Sequence, residues 1–286
     1  MIKLYTDTSA NLPTSIIKYY GIKILPFSYT INGNQHIPTE DTEFCGKDFY
    51  DLMRQGAEIK TSMISLGLIE SKFREDLENG DDVLYIGMSG GISGTASAAA
   101  IVCKQLKEEF PERKIAAVDT LAASLGEGLQ VINTAKRLRE GASFDEALQA
   151  AESEKEYMCQ YFTVDDLSYL QRGGRISKTV AVVGTVFNIK PLLTGNSEGK
   201  IVMCGKERGR LKAFSAITEK YKQKVRDLAE DIGIAHADDL TGAQKLKEML
   251  KKAGFCGHCL TVDFEPVTGS HVGPGTVALF FLGTEK

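Results

Sequence analysis

The chain lacks several features that mark specialised classes of protein. No apolar run approaches the ~20 residues of a membrane-spanning helix, and residues 1–7 reach an acidic side chain too soon for a signal-peptide core. It also lacks a basic excess, because 34 Lys and Arg are outweighed by 38 Asp and Glu. These absences argue against nucleic acid as a partner and predict a cytoplasmic protein.

Cysteine is scarce and scattered. The six cysteines lie in a chain of 286 residues that is long enough to need no disulfides, so we expect them to stay reduced. Cys256-Gly257-His258-Cys259 resembles a metal or redox motif, but no second CxxC accompanies it and a strand-like segment follows it directly. We interpret Cys256 and Cys259 as structural thiols and predict no metal site.

The first half of the chain alternates between strand-like segments and amphipathic helices. Residues 2–5, 83–86 and 114–118 are strand-like, and helices are predicted near 13–20, over 98–110 and up to Arg139. This alternation predicts a parallel sheet covered by helices. A capping box at residues 143–146 begins a further helix, which we expect to close the first domain.

The pattern changes near residue 157. Segments 157–164, 260–264 and 277–282 are strand-like, with helices near 213–232 and 243–253, the second opened by a capping box at residues 241–244. The chain is 43% hydrophobic and large enough for two cores. We predict an α/β protein of two domains: residues 1–157, a three-layer α/β/α domain with a parallel sheet, and residues 158–286, an α/β domain with a mixed sheet.

The Gly-rich segment from residue 87 to residue 95 follows a strand and precedes a helix, where ligands of open α/β sheets bind. Its glycines let backbone approach a ligand, and the helix N-terminus favours an anion. The segment also satisfies the serine-hydrolase pattern GxSxG at Ser89, with Asp119 or Asp263 and then His271 following in the right order. Because no His-Gly-Gly-Gly-type segment precedes it, we interpret Ser89 as a turn residue and keep a serine esterase as the alternative.

Residues 165–177 and 269–275 resemble motifs of the DegV family of fatty-acid-binding proteins. The resemblance runs in family order along the chain through Asp7-Thr8-Ser9, Lys60-Thr61-Ser62, Ser93-Gly94-Thr95, Val118-Asp119-Thr120 and Lys190-Pro191-Leu192-Leu193.

This resemblance implies a carrier, not an enzyme, that buries one long-chain fatty acid between its domains and needs no cofactor. The carrier would present the carboxylate to the ATP-binding protein of a separate fatty acid kinase, whose acyl phosphate feeds phospholipid synthesis. Transient contact with a membrane surface fits that role. A third interpretation is an interaction protein with an incidental lipid.

The resemblance also implies which residues bind the carboxylate, namely Thr61, Ser62, Ser93, Gly94, Thr95 and His271. On the residues alone, Thr61-Ser62 is typical of a loop or cap, Ser93 of a helix cap, and an isolated His of a structural residue. Of the Thr-Ser pair we favour Thr61. The Gln-Pro that usually follows this pair in the family is Met63-Ile64 here, which leaves the path of the loop open.

Arg172 and Arg175 flank a Gly-Gly turn, where small residues let a guanidinium reach a carboxylate or phosphate. The alternative is a solvated turn with an ion pair to Asp165 or Asp166. The resemblance places Arg172 at the kinase-facing mouth, with Arg208 as a further arginine there. An acyl tunnel could be lined by apolar residues that core packing explains equally well: Ile64, Val182, Val183, Val186, Phe187 and Ile189.

Overall fold

The computed structural model describes residues 1–38, 44–177 and 188–286. Its strands are β1 Ile2–Asp7, β2 Lys23–Leu25, β3 Ser28–Ile31, β4 Asn34–His36, β5 Ile59–Ser62, β6 Asp82–Gly87, β7 Ile115–Asp119, β8 Met158–Thr163, β9 Ile189–Gly195, β10 Ile201–Arg208, β11 Ile232–His236, β12 Cys259–Asp263 and β13 Val277–Leu282. Its helices are α1 Thr14–Tyr20, α2 Gly46–Arg54, α3 Leu66–Glu78, α4 Thr95–Glu109, α5 Leu125–Arg139, α6 Phe144–Glu154, α7 Ser168–Arg172, α8 Arg210–Lys224, α9 Leu240–Lys252 and α10 Pro266–Val272.

The first sheet is parallel, in the order β2-β1-β6-β7. Successive side chains of a strand point to opposite faces, and both faces here are apolar. Tyr5 packs on the α3 and α4 side with Phe73, whereas Leu4 packs on the α5 and α6 side with Val131. The predicted three-layer α/β/α domain is therefore confirmed.

The second sheet is mixed, in the order β10-β9-β8-β13-β11-β12, and its β11–β12 pair is parallel while the other pairs are antiparallel. Helices α8 and α9 cover one face, where Phe214 and Leu246 pack on the sheet. The other face turns toward the first domain, because Phe280 shares a core with Tyr50 of α2 and Leu125 of α5. The two domains thus meet across a common apolar layer.

A third, antiparallel sheet in the order β4-β3-β5 lies within the N-terminal half. Its strand β5 ends in Thr61-Ser62, and Thr61 lies opposite Tyr29 of β3. Contacts of β3 and β5 with α10 bring this small sheet against the C-terminal half of the chain. The Thr-Ser pair is consequently held on a strand end next to α10.

Two details of the sequence prediction are wrong. The helix expected near 213–232 ends at Lys224, and residues 232–236 form β11 in the interior of the mixed sheet, where burial on both faces removes the alternation that identifies a strand. The helix of residues 240–252 is capped by Asp239, whose carboxylate accepts a hydrogen bond from the Gly242 N–H at 3.0 Å, so no capping box begins at Thr241.

The capping box at residues 143–146 is confirmed. The Ser143 hydroxyl accepts from the Glu146 N–H at 3.3 Å, and the Glu146 carboxylate accepts from the Ser143 N–H at 2.8 Å. The parallel sheet uses strands before residue 120 and the mixed sheet uses strands from residue 158 onward, while the domain boundary at 157 stays a prediction. In the described part of the chain, no helix has the length and apolar character needed to cross a membrane.

Candidate functional site

A cavity of about 290 Å³ lies between the two domains. Its volume is close to the lower end of the ~300–1,000 Å³ range of small-molecule pockets. Most of its wall is apolar and comes from both halves of the chain: Phe27, Met63, Met88, Ile92, Ala122, Ala123, Phe162, Leu170, Ile201, Phe264, Val267, Val272, Ala278 and Phe280. The cavity therefore suits a ligand with a substantial apolar part.

Four polar side chains in the wall, Thr61, Ser93, Arg175 and His271, form what we call the cavity cluster. Each comes from a different segment: the end of β5, the turn before α4, the loop after α7 and the last turn of α10. The structure thus brings together three of the residues predicted to bind a carboxylate and adds Arg175 to them.

Short contacts join these four segments. The Thr61 hydroxyl lies 2.9 Å from the His271 Nε2 atom, and the Ser93 hydroxyl donates to the Thr95 hydroxyl at 3.2 Å. Residues next to the cluster complete the connection. The Ile64 N–H donates to the Thr95 hydroxyl at 3.4 Å, and the Arg175 Nε–H donates to the Ile92 carbonyl at 3.0 Å. Hydrogen bonds thus link the segments that carry the cluster, and further polar side chains of the wall lie at Ser62, Ser124, Gln160 and Thr268.

His271 is a neutral member of the cluster. Burial, with a smaller effect of the nearby Arg175 cation, lowers the pKa of its imidazole to about 4. The ring packs against Gly173, where an added Cβ atom would lie 2.2 Å from the His271 Nδ1 atom. The imidazole thus leaves no space for a side chain at Gly173. At Gly174 the reason for glycine is different, namely the left-handed φ of +73°.

Arg175 supplies the positive charge of the cluster. Burial lowers the pKa of its guanidinium, which shows that the surroundings disfavour the cation. Its hydrogen bonds go to the carbonyl oxygens of Ile92 and Gly173, and it has no ion pair within the described residues. A cation that is partly buried without a carboxylate favours an anionic ligand.

The other residues predicted to bind a carboxylate take different places. Ser62 and Gly94 line the cavity, and a Cβ atom on Gly94 would lie 3.1 Å from the Met63 sulfur. Thr95 is fully buried and is not part of the wall, so its hydroxyl supports Ser93 from behind. Met63-Ile64 replace the Gln-Pro that usually follows the Thr-Ser pair in the family. The loop places Met63 over Gly94 and buries Ile64 in the first domain.

Arg172 and Arg208 do not line the cavity. Arg172 is exposed at the end of α7, with its guanidinium 4.5 Å from the centre of the Tyr169 ring. The expected ion-pair alternative is not observed in the described residues, because Asp165 binds Lys190 and Arg210, at 2.7 and 2.8 Å. Arg208 is exposed at the end of β10.

Among the apolar residues considered for an acyl tunnel, Ile64 and Ile189 are not in the wall of the cavity. Val182, Val183, Val186 and Phe187 lie outside the described residues.

Ser89 and His271 are not a nucleophile and its base. Ser89 is fully buried, and its hydroxyl donates to the Gly199 carbonyl at 2.9 Å and accepts from the Gly91 N–H at 3.1 Å. His271 contacts Thr61 instead, and the Asp119 carboxylate accepts from the N–H groups of Gly90 and Leu121. The Ser89 hydroxyl thus connects the turn before α4 to the β9–β10 turn. This structural role agrees with the interpretation of Ser89 as a turn residue.

The two cysteines of the CxxC motif lie in different environments. Cys256 is exposed and donates weakly to the Leu228 carbonyl, while Cys259 is buried in β12. Within residues 1–38, 44–177 and 188–286, no three His, Cys, Asp or Glu side chains are grouped so that they could hold a metal ion.

Fold and site together define a two-domain α/β protein with an interdomain cavity, apolar along most of its wall and provided at one patch with hydroxyls, a neutral imidazole and a cation. The chain belongs to the DegV family, whose model, described as an uncharacterised protein family, matches residues 1–284.

The relatives cover the whole chain. DegV domain-containing protein CPE0026 of Clostridium perfringens is 36% identical over 284 residues, covering 99% of this chain and 98% of its own. The solved fatty-acid-binding DegV family protein SAG1342 of Streptococcus agalactiae has a TM-score of 0.87 and 32% identity, with 100% and 99% coverage. A Thermus thermophilus DegV family structure, described for its fatty acid binding, has a TM-score of 0.86 and 30% identity, with 99% of both chains covered.

Proposed function

We propose that this protein is a cytoplasmic carrier that binds one long-chain fatty acid in the interdomain cavity. Thr61, Ser93 and His271 hold the carboxylate, Ser62 and Gly94 border it, and Thr95 supports Ser93. The carrier then presents the carboxylate to a separate fatty acid kinase, whose acyl phosphate feeds phospholipid synthesis. Arg172 and Arg208 lie on the kinase-facing side in this proposal.

One observation carries the proposal, namely that the cavity cluster contains the Arg175 cation, which has no carboxylate partner among the described residues. Two hydroxyls, an imidazole and a guanidinium border a largely apolar space, and no carboxylate of residues 1–38, 44–177 or 188–286 lines it. A carboxylate accepts about four hydrogen bonds through its two oxygens. An anionic head group with an apolar tail therefore complements both parts of the wall, and relatives of known structure are described as fatty-acid-binding proteins.

The tail supplies most of the affinity in this proposal. Burial of about 14 methylenes at ~0.8 kcal/mol each contributes about 11 kcal/mol before the cost of ordering the chain. The cavity cluster adds orientation, because it fixes which end of the ligand reaches the polar patch. The carboxylate also raises the pKa of His271 above about 4, since an opposite charge favours the imidazolium.

The direct test is extraction of the purified, denatured protein followed by mass spectrometry. We expect about one long-chain fatty acid per chain. A matched sample of Ser93→Ala carrying Thr61→Ala should retain less, because a charge-assisted hydrogen bond is lost at each position. Equal amounts of lipid in both samples, or none in either after incubation with fatty acid, would contradict the proposal.

A second experiment separates presentation from binding. Arg172→Ala should bind fatty acid almost as the wild type does, because apolar burial dominates affinity, yet support much less acyl-phosphate formation by a partner kinase with ATP. Arg139→Ala is the matched control, since Arg139 is also exposed and lies 4.2 Å from the centre of the Tyr19 ring at the end of α5. Equal activity of the two variants would remove Arg172 from the kinase-facing site.

A further inference from the structure

Met63 spans the wall that separates the cavity from solvent. Its side chain lines the cavity, yet it is 48% exposed. All seven methionines lie in the described residues. Met1 is exposed but away from the cavity, and Met88 lines the cavity but is buried. Met63 alone among the described methionines connects the two environments.

The position of Met63 is next to the cavity cluster. It follows Thr61-Ser62 on the chain, and its sulfur packs over Gly94, where an added Cβ atom would lie 3.1 Å away. The backbone beyond it is anchored, because the Ile64 side chain is buried and its N–H donates to the Thr95 hydroxyl. The backbone is therefore held while the side chain stays adaptable, since Met is unbranched with three rotatable bonds.

We propose that Met63 closes the polar end of the cavity and that oxidation of its thioether by a peroxide opens this closure. The inference rests on the proposed function, because it concerns exchange of the bound fatty acid. In the reaction one oxygen atom passes from the peroxide to the Met63 sulfur: the O–O bond breaks, an S–O bond forms, the sulfur loses two electrons, and hydrogen peroxide leaves as water.

The chemistry of the sulfoxide explains the direction of the effect. A sulfoxide is polar and its oxygen accepts hydrogen bonds, whereas the closed position of Met63 lies over Gly94 and, in the proposed function, beside the carboxylate of the fatty acid. The oxygen would lose its hydration there and repel the carboxylate. Because the side chain already reaches solvent, the oxidised form relaxes outward and leaves the polar end open.

The test measures the rate at which a bound fluorescent fatty acid is released to an excess of phospholipid vesicles. Wild type and Met63→Leu are each compared before and after hydrogen peroxide treatment, and peptide mass mapping verifies oxygen addition at Met63. We expect peroxide to speed release from the wild type by about tenfold, the equivalent of about 1.4 kcal/mol. Met63→Leu cannot form a sulfoxide at this position and retains every cysteine. In this variant the rate of fatty acid release should be the same with and without peroxide treatment.

Met63→Ala tests the closure without any oxidant and should release the fatty acid faster than the untreated wild type. Treated wild type with verified oxidation at Met63 and an unchanged rate would overturn the inference. So would a Met63→Leu variant as sensitive to peroxide as the wild type. Failure of the untreated wild type to bind the fluorescent fatty acid would instead contradict the proposed function, so the two failures are distinguishable.

Discussion

Two polar clusters of this protein differ in burial and in the sign of their charged groups. The cavity cluster consists of two hydroxyls, an imidazole and a guanidinium beside an open space. The second, which we call the acid cluster, consists of Asp7, Glu127 and Glu265, all buried where the two domains meet. It has carboxyl groups and no cation in ion-pair contact with them among the described residues. The more deeply buried cluster is thus supplied with hydrogen-bond partners, whereas the largely half-buried one suits an anion.

The carboxyl groups of the acid cluster have hydrogen-bond partners within the protein. The Asp7 carboxyl accepts from the Tyr85 hydroxyl at 2.6 Å, and Glu127 accepts from the Thr6 hydroxyl at 2.9 Å. The Ser9 hydroxyl contacts both carboxyls but has one proton to donate. One of these contacts therefore requires a protonated carboxyl. Burial raises the pKa of Glu127 well above its usual range, which favours Glu127 as the proton carrier.

The comparison teaches that burial of polar groups does not by itself mark a ligand site. In the acid cluster a shared proton, neighbouring hydroxyls and the N–H groups of Val267 and Thr268 supply the carboxyl oxygens with partners. In the cavity cluster the partly buried Arg175 cation has no carboxylate acceptor among the described residues, and it borders the interdomain cavity. The useful signal is a buried charge without its complement beside an apolar cavity.

The largest expected effect concerns Arg175. Arg175→Met should weaken fatty acid binding by about 4 kcal/mol, because a buried carboxylate loses its charged partner. Titration with a fluorescent fatty acid measures the affinity. Arg175→Lys is the matched control and should recover part of the loss. Its ammonium restores the positive charge but not the planar guanidinium that can donate two hydrogen bonds to one carboxylate. Wild-type affinity in Arg175→Met would show that the cation has no part in ligand binding.

The second effect is a pH dependence of stability in the acid cluster. Burial raises the pKa of Glu265 to about 7, above the usual 4.5 of an unfolded chain. Between pH 4.5 and 7 Glu265 is therefore protonated in the folded protein and ionised in the unfolded chain. Because the folded state binds more protons, the free energy of unfolding falls as pH rises through that window. The full penalty of about 3 kcal/mol is present above pH 7 and absent below 4.5.

Glu265→Gln tests this sign. Urea unfolding at several pH values should show the variant gaining about 3 kcal/mol relative to the wild type between pH 4.5 and 7. The change with pH is the informative quantity, because the carboxylate also accepts from the N–H groups of Val267 and Thr268 at the start of α10. Parallel curves for the two proteins would mean that Glu265 titrates normally.

The smallest effects distinguish two serines of one turn. Ser93→Ala and Thr61→Ala should each weaken fatty acid binding by about 1 to 3 kcal/mol while the fold stays intact. Ser89→Ala is the matched control. It should leave affinity unchanged but lower the free energy of unfolding by about 1 kcal/mol, because the hydrogen bond to the Gly199 carbonyl is lost. An equal loss of affinity in Ser89→Ala would contradict the separation of the two serines.

Local sequence patterns predicted much of the fold and failed at identifiable places. The alternation of apolar strands with helices indicated the parallel sheet, and residues 277–282 form the strand expected there. Strand β11 was missed because a short apolar run in the interior of a sheet has no periodicity that separates it from a helix. The capping box at Thr241 was wrong because Asp239, two residues earlier, offers a carboxylate to the same helix.

The sequence alone therefore determined the family, the helices and strands with strong periodicity, and five of the residues that border the cavity, namely Thr61, Ser62, Ser93, Gly94 and His271. Tertiary structure decided which arginine enters it. The chain between Arg172 and Arg175 turns through Gly174 in the left-handed region, and only the folded turn shows that Arg175 lines the cavity while Arg172 does not. Thr61 and His271 meet although 210 positions separate them. Burial sets the pKa of His271, and burial is a property of both domains together, which no local pattern of residues contains.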